Sequence, residues 1–329
     1  MILKNKTNNK IKIISLTCCK NEEDIIESFV RMNKNIIDLF IFVDDSSDRT
    51  THILESLTLE GFPIRVLEMD RDSTEYRQSD ILSEVRESLI KEFPDSIFLP
   101  LDCDEFPEYS RAELLDTIAR APRGQILLTA WKTYVPLTNN FPFDAQLSNG
   151  FALREPEGTQ YYKIVIPNSL DSSIIICEGA HDATLENGGQ IPHVSTSLKL
   201  AHFPVRSSSQ IIKKNLAAVI KQGRAKRKKS GEGYHIYPVF NTLVMRDFTL
   251  TLGDLQGIAL RYANSAVKCC MNYNLKPPLQ DCEIRYTRKN TDSLVEFLVR
   301  EIVALLLEPI PSDLATQLRS ILLMQHEKR

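Results

Sequence analysis

Short apolar runs and amphipathic segments alternate along the first 130 residues of the chain. Four runs have the length and the β-branched or aromatic content of buried strands: 11–17, 38–45, 63–70 and 96–102. Three segments between them carry apolar residues at helical spacing: 21–36, 46–61 and 79–93. Strands that alternate with helices in this way predict βαβ crossovers and a mainly parallel sheet with helices on both faces.

The alternation loosens after residue 124. A further strand is expected at 125–136, and the abundance of Asn, Gly, Pro and Ser over 139–195 predicts loops and short antiparallel strands. From 207 onward the pattern is mostly helical, with amphipathic or apolar segments at 207–229, 293–308 and 311–329. The chain is therefore expected to be an α/β domain over 1–205 with a mostly helical C-terminal extension over 206–329.

Polar and acidic residues follow each of the four predicted strands. They are Thr17 to Lys20, Asp44-Asp45, Asp70 to Asp72 and Asp102 to Glu105. Ligands of open α/β sheets bind at the carboxyl ends of the strands, so these residues predict a binding site along one edge of the sheet. A solvated loop is the alternative for each group taken singly.

Composition narrows the possible partners and the compartment. The 329 residues are 43% hydrophobic and 25% charged, and the net charge of −3 gives no reason to expect nucleic acid as a partner. The seven cysteines form no C-x-x-C motif, and their odd number fits reduced thiols in a cytoplasm. No signal peptide and no apolar stretch of ~20 residues is recognisable, which favours a cytoplasmic protein.

The sequence Asp102-Cys103-Asp104 closes the fourth strand. Side chains two positions apart on a strand point to the same side, so both carboxylates can address one ligand. Magnesium and manganese prefer such oxygens and usually keep further positions for water or substrate phosphate. The tripeptide alone is common by chance, and an acidic loop after a strand is its other interpretation.

Taken together, three motifs resemble family 2 glycosyltransferases, which have the GT-A fold, a Rossmann-like α/β architecture. The family pattern of a strand followed by Asn-Glu is matched by Asn21 and Glu22. A strand ending in Asp-Asp-x-Ser-x-Asp-x-Thr is matched by Asp44 to Thr50, and Asp-x-Asp by Asp102 and Asp104. The resemblance covers roughly residues 11–110.

This resemblance implies a donor site for a nucleotide-diphospho-sugar, with a UDP-sugar favoured. Asp44 or Asp45 would bind the base or ribose beside Thr17, with Asn21 and Glu22 at the same site, and Asp102 would contact the ribose or the sugar. Asp104 would bind a divalent metal, Mn²⁺ or Mg²⁺, which neutralises the diphosphate leaving group. In "HFPVRS", His202 would complete the metal shell and Arg206 would bind phosphate.

Most members of the family invert the anomeric centre, which requires a carboxylate base for the acceptor hydroxyl. We expect this base to be Asp182, with Glu178 as the second candidate. The implied function is sugar transfer to a glycan or lipid-linked acceptor during surface glycan or glycoconjugate assembly. No Glu-Asp pair identifies the base, so this assignment stays open.

Six cations lie between Lys221 and Lys229. They predict either peripheral contact with anionic lipid at the inner face of the membrane or a solvated helix end. The run has no aromatic residues for base stacking, which argues against nucleic acid.

Two other functions compete with glycosyl transfer. A phosphatase of the haloacid-dehalogenase type also uses Asp-x-Asp at a strand end, but its motif normally lies near the N-terminus and continues with Thr or Val. A non-catalytic nucleotide-sugar-binding protein would use the same pocket. A sugar nucleotidyltransferase would need a glycine-rich loop after the first strand, which "SLTCCKNEED" lacks.

Overall fold

A computed structural model describes the protein at residues 11–68, 77–139, 150–155, 161–170, 174–224, 236–262, 272–274 and 282–287. This part of the chain confirms the predicted α/β class, with a parallel sheet flanked by helices.

The first half of the fold is a four-stranded parallel sheet with the strand order β3-β2-β1-β4. Its strands are β1 (Lys12–Cys19), β2 (Leu39–Asp44), β3 (Ile64–Glu68) and β4 (Ser96–Pro100). The connecting helices are α1 (Ile26–Asn33), α2 (Thr50–Leu59) and α3 (Gln78–Glu92). Parallel strands need such crossovers, and the order of the sheet brings the ends of β1, β2 and β4 to one edge.

Side chains of the central strands alternate between two hydrophobic clusters. Ile13 packs in the cluster with α1 and α2, whereas Ile14 and Leu16 pack with α3. On the first face, the Phe29 ring of α1 meets the rings of two β2 residues edge-on, with 6.1 Å between ring centroids in each pair. Burial on both faces explains why β1 and β2 are apolar almost throughout.

A second sheet continues the first. Its strands are β5 (Glu105–Pro107), β6 (Ile126–Pro136), β7 (Phe151–Glu155), β8 (Tyr162–Val165), β11 (His193–His202) and β12 (Asn272–Asn274). β11 is parallel to β6 and antiparallel to β5, and β8 lies antiparallel on the other side of β6. Phe98 of β4 and Ile166 exchange two backbone hydrogen bonds of 3.0 Å, so the two sheets meet edge to edge.

The remaining elements cover this framework. A hairpin of β9 (Ile174–Ile176) and β10 (Ala183–Leu185) lies beside α3, and its connection contains a 3₁₀ turn at Glu178–Ala180. Helix α4 (Arg111–Arg120) begins with a capping box, in which the Ser110 hydroxyl accepts from the Glu113 N–H and the Glu113 carboxylate accepts from the Ser110 N–H.

Three further helices begin the predicted C-terminal region: α5 (Ser208–Arg224), α6 (Ile236–Met245) and α7 (Leu252–Leu260). They share a hydrophobic cluster with Val135 of β6 and with Val205, so residues on both sides of the predicted boundary at 205–206 pack together. That boundary stays a prediction. The predicted helices at 293–308 and 311–329, Asp70 to Asp72 and the side chains of the basic run lie outside the described residues.

Some predicted boundaries differ from the structure. The helix expected from residue 21 begins at Ile26, because Asn21 has a φ of 57° and residues 23–25 form a turn. The fourth strand, expected over 96–102, ends at Pro100, and the loop that follows it carries Asp102 and Asp104. Within the described ranges, no helix is both long enough and apolar enough to cross a bilayer.

Glu27 of α1 holds a distant segment of the chain in place. Its fully buried carboxylate accepts hydrogen bonds of 2.7–2.8 Å from three consecutive backbone N–H groups, those of Arg285, Tyr286 and Thr287. Arg31 adds a 2.8 Å bond from the same helix. Burial alone would raise the pKa of Glu27, but these donors outweigh it and lower the pKa.

Replacing this carboxylate tests how strongly it stabilises the fold. We expect Glu27→Gln to lower the free energy of unfolding by about 2–3 kcal/mol, because the amide cannot accept from all four donors. Urea denaturation followed by circular dichroism measures the change. Glu55 is exposed on α2, so Glu55→Gln is the matched control and should stay within about 0.5 kcal/mol of the wild type. Equal losses in the two variants would contradict the assignment.

Candidate active site at the carboxyl edge of the sheet

The loops after β1 and β2 interlock at the carboxyl edge of the sheet. The Asn21 side-chain oxygen accepts from the N–H groups of Ser47 and Asp48 at 2.8 and 3.2 Å, and the Asn21 N–H donates to the Ser46 hydroxyl. The Glu22 N–H donates to the Thr50 hydroxyl at 2.9 Å. Much of the Asn-Glu and Asp-Asp-x-Ser-x-Asp-x-Thr pattern therefore holds one loop against the other.

The two aspartates after β2 differ in their surroundings. Asp44 accepts a hydrogen bond from the Thr51 hydroxyl at 2.5 Å and one from the Ser46 N–H at 3.0 Å. Asp45 pairs with Lys20 at 2.9 Å, and a quarter of its side chain is exposed. Thr17 is fully buried in β1, and its hydroxyl has no hydrogen-bond partner among the described residues. The donor-binding roles of these three residues stay predictions.

Arg206 is the buried cation at the centre of the site, with 2% of its side chain exposed. Its guanidinium donates to both oxygens of Asp24 at 2.7 and 3.0 Å and to Glu22 at 2.5 Å. It also donates at 3.3 Å to Asp104 and to the carbonyl of Phe203. Since arginine has five N–H donors, all are used within the protein. Direct phosphate binding by Arg206, as the sequence predicts, would require it to release one of these partners.

Asp104 lies between two cations and a histidine. Its Oδ2 is 3.3 Å from Arg206 and 3.4 Å from the Lys214 Nζ, and its Oδ1 is 3.8 Å from the His202 Nε2. Burial alone would raise the pKa of the Asp104 carboxyl, but Lys214 and Arg206 outweigh it and hold the pKa well below its usual range. Asp104 is therefore ionised at neutral pH although only 3% of the residue is exposed.

Lys163 of β8 is the cation next to Asp102 and Glu105. Its Nζ is fully buried, 2.8 Å from Asp102 and 3.3 Å from Glu105. Glu105 also accepts from the Asp102 N–H at 2.9 Å, while Gln78 of α3 donates to Asp102 from the other side at 3.3 Å. Asp102 thus keeps a fixed orientation although 39% of its side chain is exposed.

The charges of this cluster do not balance among the described residues. Its five carboxylates are Glu22, Asp24, Asp102, Asp104 and Glu105, and its three cations are Lys163, Arg206 and Lys214. Two negative charges would be in excess if every group were ionised. Burial raises the pKa of Glu22 to about 7, although Arg206 and Lys214 act against it, and burial also raises the pKa of Glu105 well above its usual range. Protons or a bound cation can supply the missing positive charge.

His202 ends β11 directly opposite Glu105 of β5. Its ring stacks on Trp131 with 4.2 Å between centroids, and Trp131 in turn meets the His181 ring at 5.3 Å. Burial lowers the pKa of His202 to about 4, so the imidazole is neutral at pH 7, and its Nδ1 has no hydrogen-bond partner among the described residues.

The residues present meet part of the requirement for a divalent metal. A carboxylate and a neutral imidazole are suitable ligands, and a 3.8 Å separation lets Asp104 and His202 share one ion. In the described part of the chain, however, no three His, Cys, Asp or Glu side chains are placed to hold an ion together. The pair fits a metal whose other ligands are water and substrate phosphate, as is usual for Mg²⁺.

The two carboxylates predicted as catalytic bases lie in different places. Glu178 is exposed and accepts from Ser79 of α3 at 3.0 Å, next to the Gln78 that binds Asp102. Asp182 accepts from the His193 Nε2 at 2.8 Å, at the opposite end of β11 from His202. Those two histidines lie opposite positions 126 and 133 of β6, which are about 23 Å apart at ~3.3 Å per residue. The Asp182 carboxylate is therefore engaged by His193, whereas its neighbour His181 contacts Trp131, on which His202 stacks.

Several residues of the site were missed by reasoning from the sequence. Lys163 could have been found as a charge inside the apolar strand "YYKIVIP". Lys214 lies one helical turn after Gln210, which accepts the Arg206 N–H, so the two share a face of α5. Asp24, Gln78 and Ser79 gave no signal, because only the tertiary structure brings them to the site.

The buried neutral histidine makes stability depend on pH. Because the pKa of His202 is about 4 in the folded protein and about 6.5 in an unfolded chain, only the unfolded state takes up this proton between those values. Stability should therefore fall by up to about 3 kcal/mol as the pH drops from 6.5 to 4.

Denaturation in EDTA across this pH range tests the assignment. We expect His202→Gln to lose this part of the pH dependence. The control His52→Gln changes an exposed residue of α2 and should retain it. An unchanged pH profile in His202→Gln would be evidence against a buried neutral imidazole.

Comparison with known proteins gives only distant similarity. Neither a family model nor a curated protein matches the chain. Among solved structures, S. aureus TarS aligns at 16% identity with a TM-score of 0.35 over 73% of this chain, which spans 44% of that chain. TarS 1–349 in complex with UDP gives the same identity and score, with 73% of each chain covered. A putative glucose-1-phosphate thymidylyltransferase from Bacillus anthracis in complex with a sucrose aligns at 10% identity with a TM-score of 0.28, over 78% of this chain and 97% of its own. Similarity at these scores carries no argument about activity.

Proposed function

We propose that this protein is a metal-dependent, inverting glycosyltransferase that uses a nucleotide-diphospho-sugar donor. The observation that carries the proposal is the position of Asp102 and Asp104 at the carboxyl edge of a parallel sheet, with His202 3.8 Å from Asp104. The interlocked loops after β1 and β2 lie at the same edge. This is where an open α/β fold binds its ligand.

The charges around the candidate active site favour an anionic donor that binds together with a cation. Arg206 and Lys163 are buried against carboxylates, whereas 46% of the Lys214 side chain is exposed. A diphosphate approaching this edge meets the partly exposed carboxylates of Asp45 and Asp102 as well as Lys214. A divalent ion, which Asp104 and His202 would hold, would supply positive charge against that repulsion, and the exposed Lys214 would attract the same phosphates.

Each motif residue then has a defined task. Asp104 and His202 would hold the ion, which would supply positive charge against the diphosphate leaving group. Lys163 and Gln78 hold the Asp102 carboxylate toward the ribose or sugar of the donor. Arg206 keeps Glu22, Asp24 and Asp104 in place as their shared counter-ion.

Glu178 is better placed than Asp182 to be the base. An inverting transfer forms one bond from the acceptor oxygen to the anomeric carbon and breaks the bond to the diphosphate, while the base takes the hydroxyl proton. Glu178 is exposed and accepts from Ser79, next to the Gln78 that contacts Asp102, whereas the Asp182 carboxylate is already bonded to His193. The proposed donor is a UDP-sugar and the proposed acceptor a glycan or lipid-linked molecule, as the resemblance of the sequence implies.

A donor screen tests the metal and the function together. Wild-type protein is incubated with UDP-, GDP- and dTDP-sugars, with Mn²⁺ or EDTA, and release of nucleoside diphosphate is measured. We expect Mn²⁺-dependent turnover that Asp104→Asn lowers at least about 100-fold, because the ion loses its charged ligand. Asp116→Asn, on the surface of α4, serves as the control.

Four outcomes would contradict the proposal. Turnover that persists in EDTA, or an Asp104→Asn variant as active as the control, rejects the metal mechanism. Release of inorganic phosphate from monophosphate esters identifies a phosphatase instead, and donor binding without turnover identifies a non-catalytic binding protein.

The choice of base is tested separately. We expect Glu178→Gln to lower kcat for transfer by about 100-fold or more, because the acceptor hydroxyl keeps its proton. Asp182→Asn should keep at least about a tenth of the wild-type kcat. The reverse order of effects would restore Asp182 as the base.

A further inference from the structure

The first turn of α3 contacts both halves of the candidate active site. Gln78 donates to Asp102 at 3.3 Å, and the next residue, Ser79, donates to Glu178 at 3.0 Å. Asp102 follows β4, whereas Glu178 opens the 3₁₀ turn after β9, 76 positions further along the chain. Two adjacent residues of one helix therefore connect Asp102, the proposed donor-binding carboxylate, to Glu178, the candidate base.

The rest of α3 fixes this turn against the segment that carries Glu178. One helical turn after Ser79, the Ser83 hydroxyl accepts the Ile176 N–H at 2.9 Å and donates to the Ser79 carbonyl at 2.6 Å. Leu82 and Leu89 pack in the same hydrophobic cluster as Ile176. The segment cannot slide along α3 without breaking these contacts.

The conformation after Glu178 also restricts its position. Gly179 has a φ of 70°, and a Cβ there would come within 2.7 Å of the His181 ring. The His181 Nδ1 lies 2.7 Å from the carbonyl of Tyr162, next to Lys163. The turn is thus held at both ends, on one side by α3 and on the other by β8.

Ser79 has a second carboxylate within reach. Its hydroxyl is 3.3 Å from Asp80 of the same helix, compared with 3.0 Å from Glu178. Because the hydroxyl carries one proton, it favours the closer acceptor. The residue is 8% exposed, so water competes little for this bond.

We propose that Gln78 and Ser79 are positioning residues that set the distance between the donor-binding carboxylate Asp102 and the catalytic base Glu178. The inference rests on the proposed glycosyl transfer. Ser79 acts on the chemical step through Glu178, and Gln78 acts on donor binding through Asp102. The two residues should therefore affect different kinetic constants.

Steady-state kinetics of transfer separate the two roles. We expect Ser79→Ala to lower kcat about tenfold while the KM for the donor stays within about twofold, because the base loses its orienting hydrogen bond. Ser79→Thr keeps the hydroxyl and should restore most of this loss. Gln78→Leu should raise the donor KM about fivefold with a smaller change in kcat.

Ser88 provides the matched control. It lies on α3, is exposed, and bonds to the Val85 carbonyl of its own helix. Ser88→Ala should match the wild type in both constants, and thermal unfolding of all variants shows whether the fold is retained.

The possible outcomes decide the inference. A kcat of Ser79→Ala equal to that of the wild type would overturn the positioning roles, and so would equal changes of kcat and KM in the Ser79 and Gln78 variants. In either case, turnover by the wild type would still support the proposed function. A wild type without transfer to any acceptor would overturn both.

Discussion

The structure depends on matching the negative charge at the carboxyl edge of the sheet. Carboxylates as buried as Asp104 and Glu105 are unstable in a protein interior unless a cation or a proton accompanies them. Lys163 and Arg206 supply most of that charge from positions almost closed to solvent. The acidic motif can therefore exist at the end of an apolar strand before any ligand binds.

This requirement ties residues of the second sheet and of α5 to the carboxyl edge of the first sheet. Lys163 comes from β8, which meets β4 through the Phe98–Ile166 pair, and Lys214 comes from α5. The aromatic contacts of Trp131 with His202 and His181 tie the same elements together. A rearrangement of either sheet would change the charge around Asp104.

Much of the first half of the fold could be predicted from the sequence, because its order follows from local patterns. Apolar runs gave the four parallel strands, and the residues after β1, β2 and β4 were expected at one edge. Helix α1 was placed too early because the backbone at Asn21 reverses direction. Long-range pairing limited the rest: Lys163 was a charge in a strand without a visible partner, and nothing in the sequence indicated that Asp182 bonds to His193.

The pairing of Arg206 has a consequence for the order in which the chain folds. Arg206 joins Asp24 and Asp104 across sequence separations of 182 and 102 residues. On the ribosome, the parallel sheet can assemble long before Arg206 is synthesised, and during that interval its acidic edge lacks this counter-ion. Contacts between residues so far apart in the sequence form slowly, so the nascent sheet should stay loosely packed at this edge until α5 emerges.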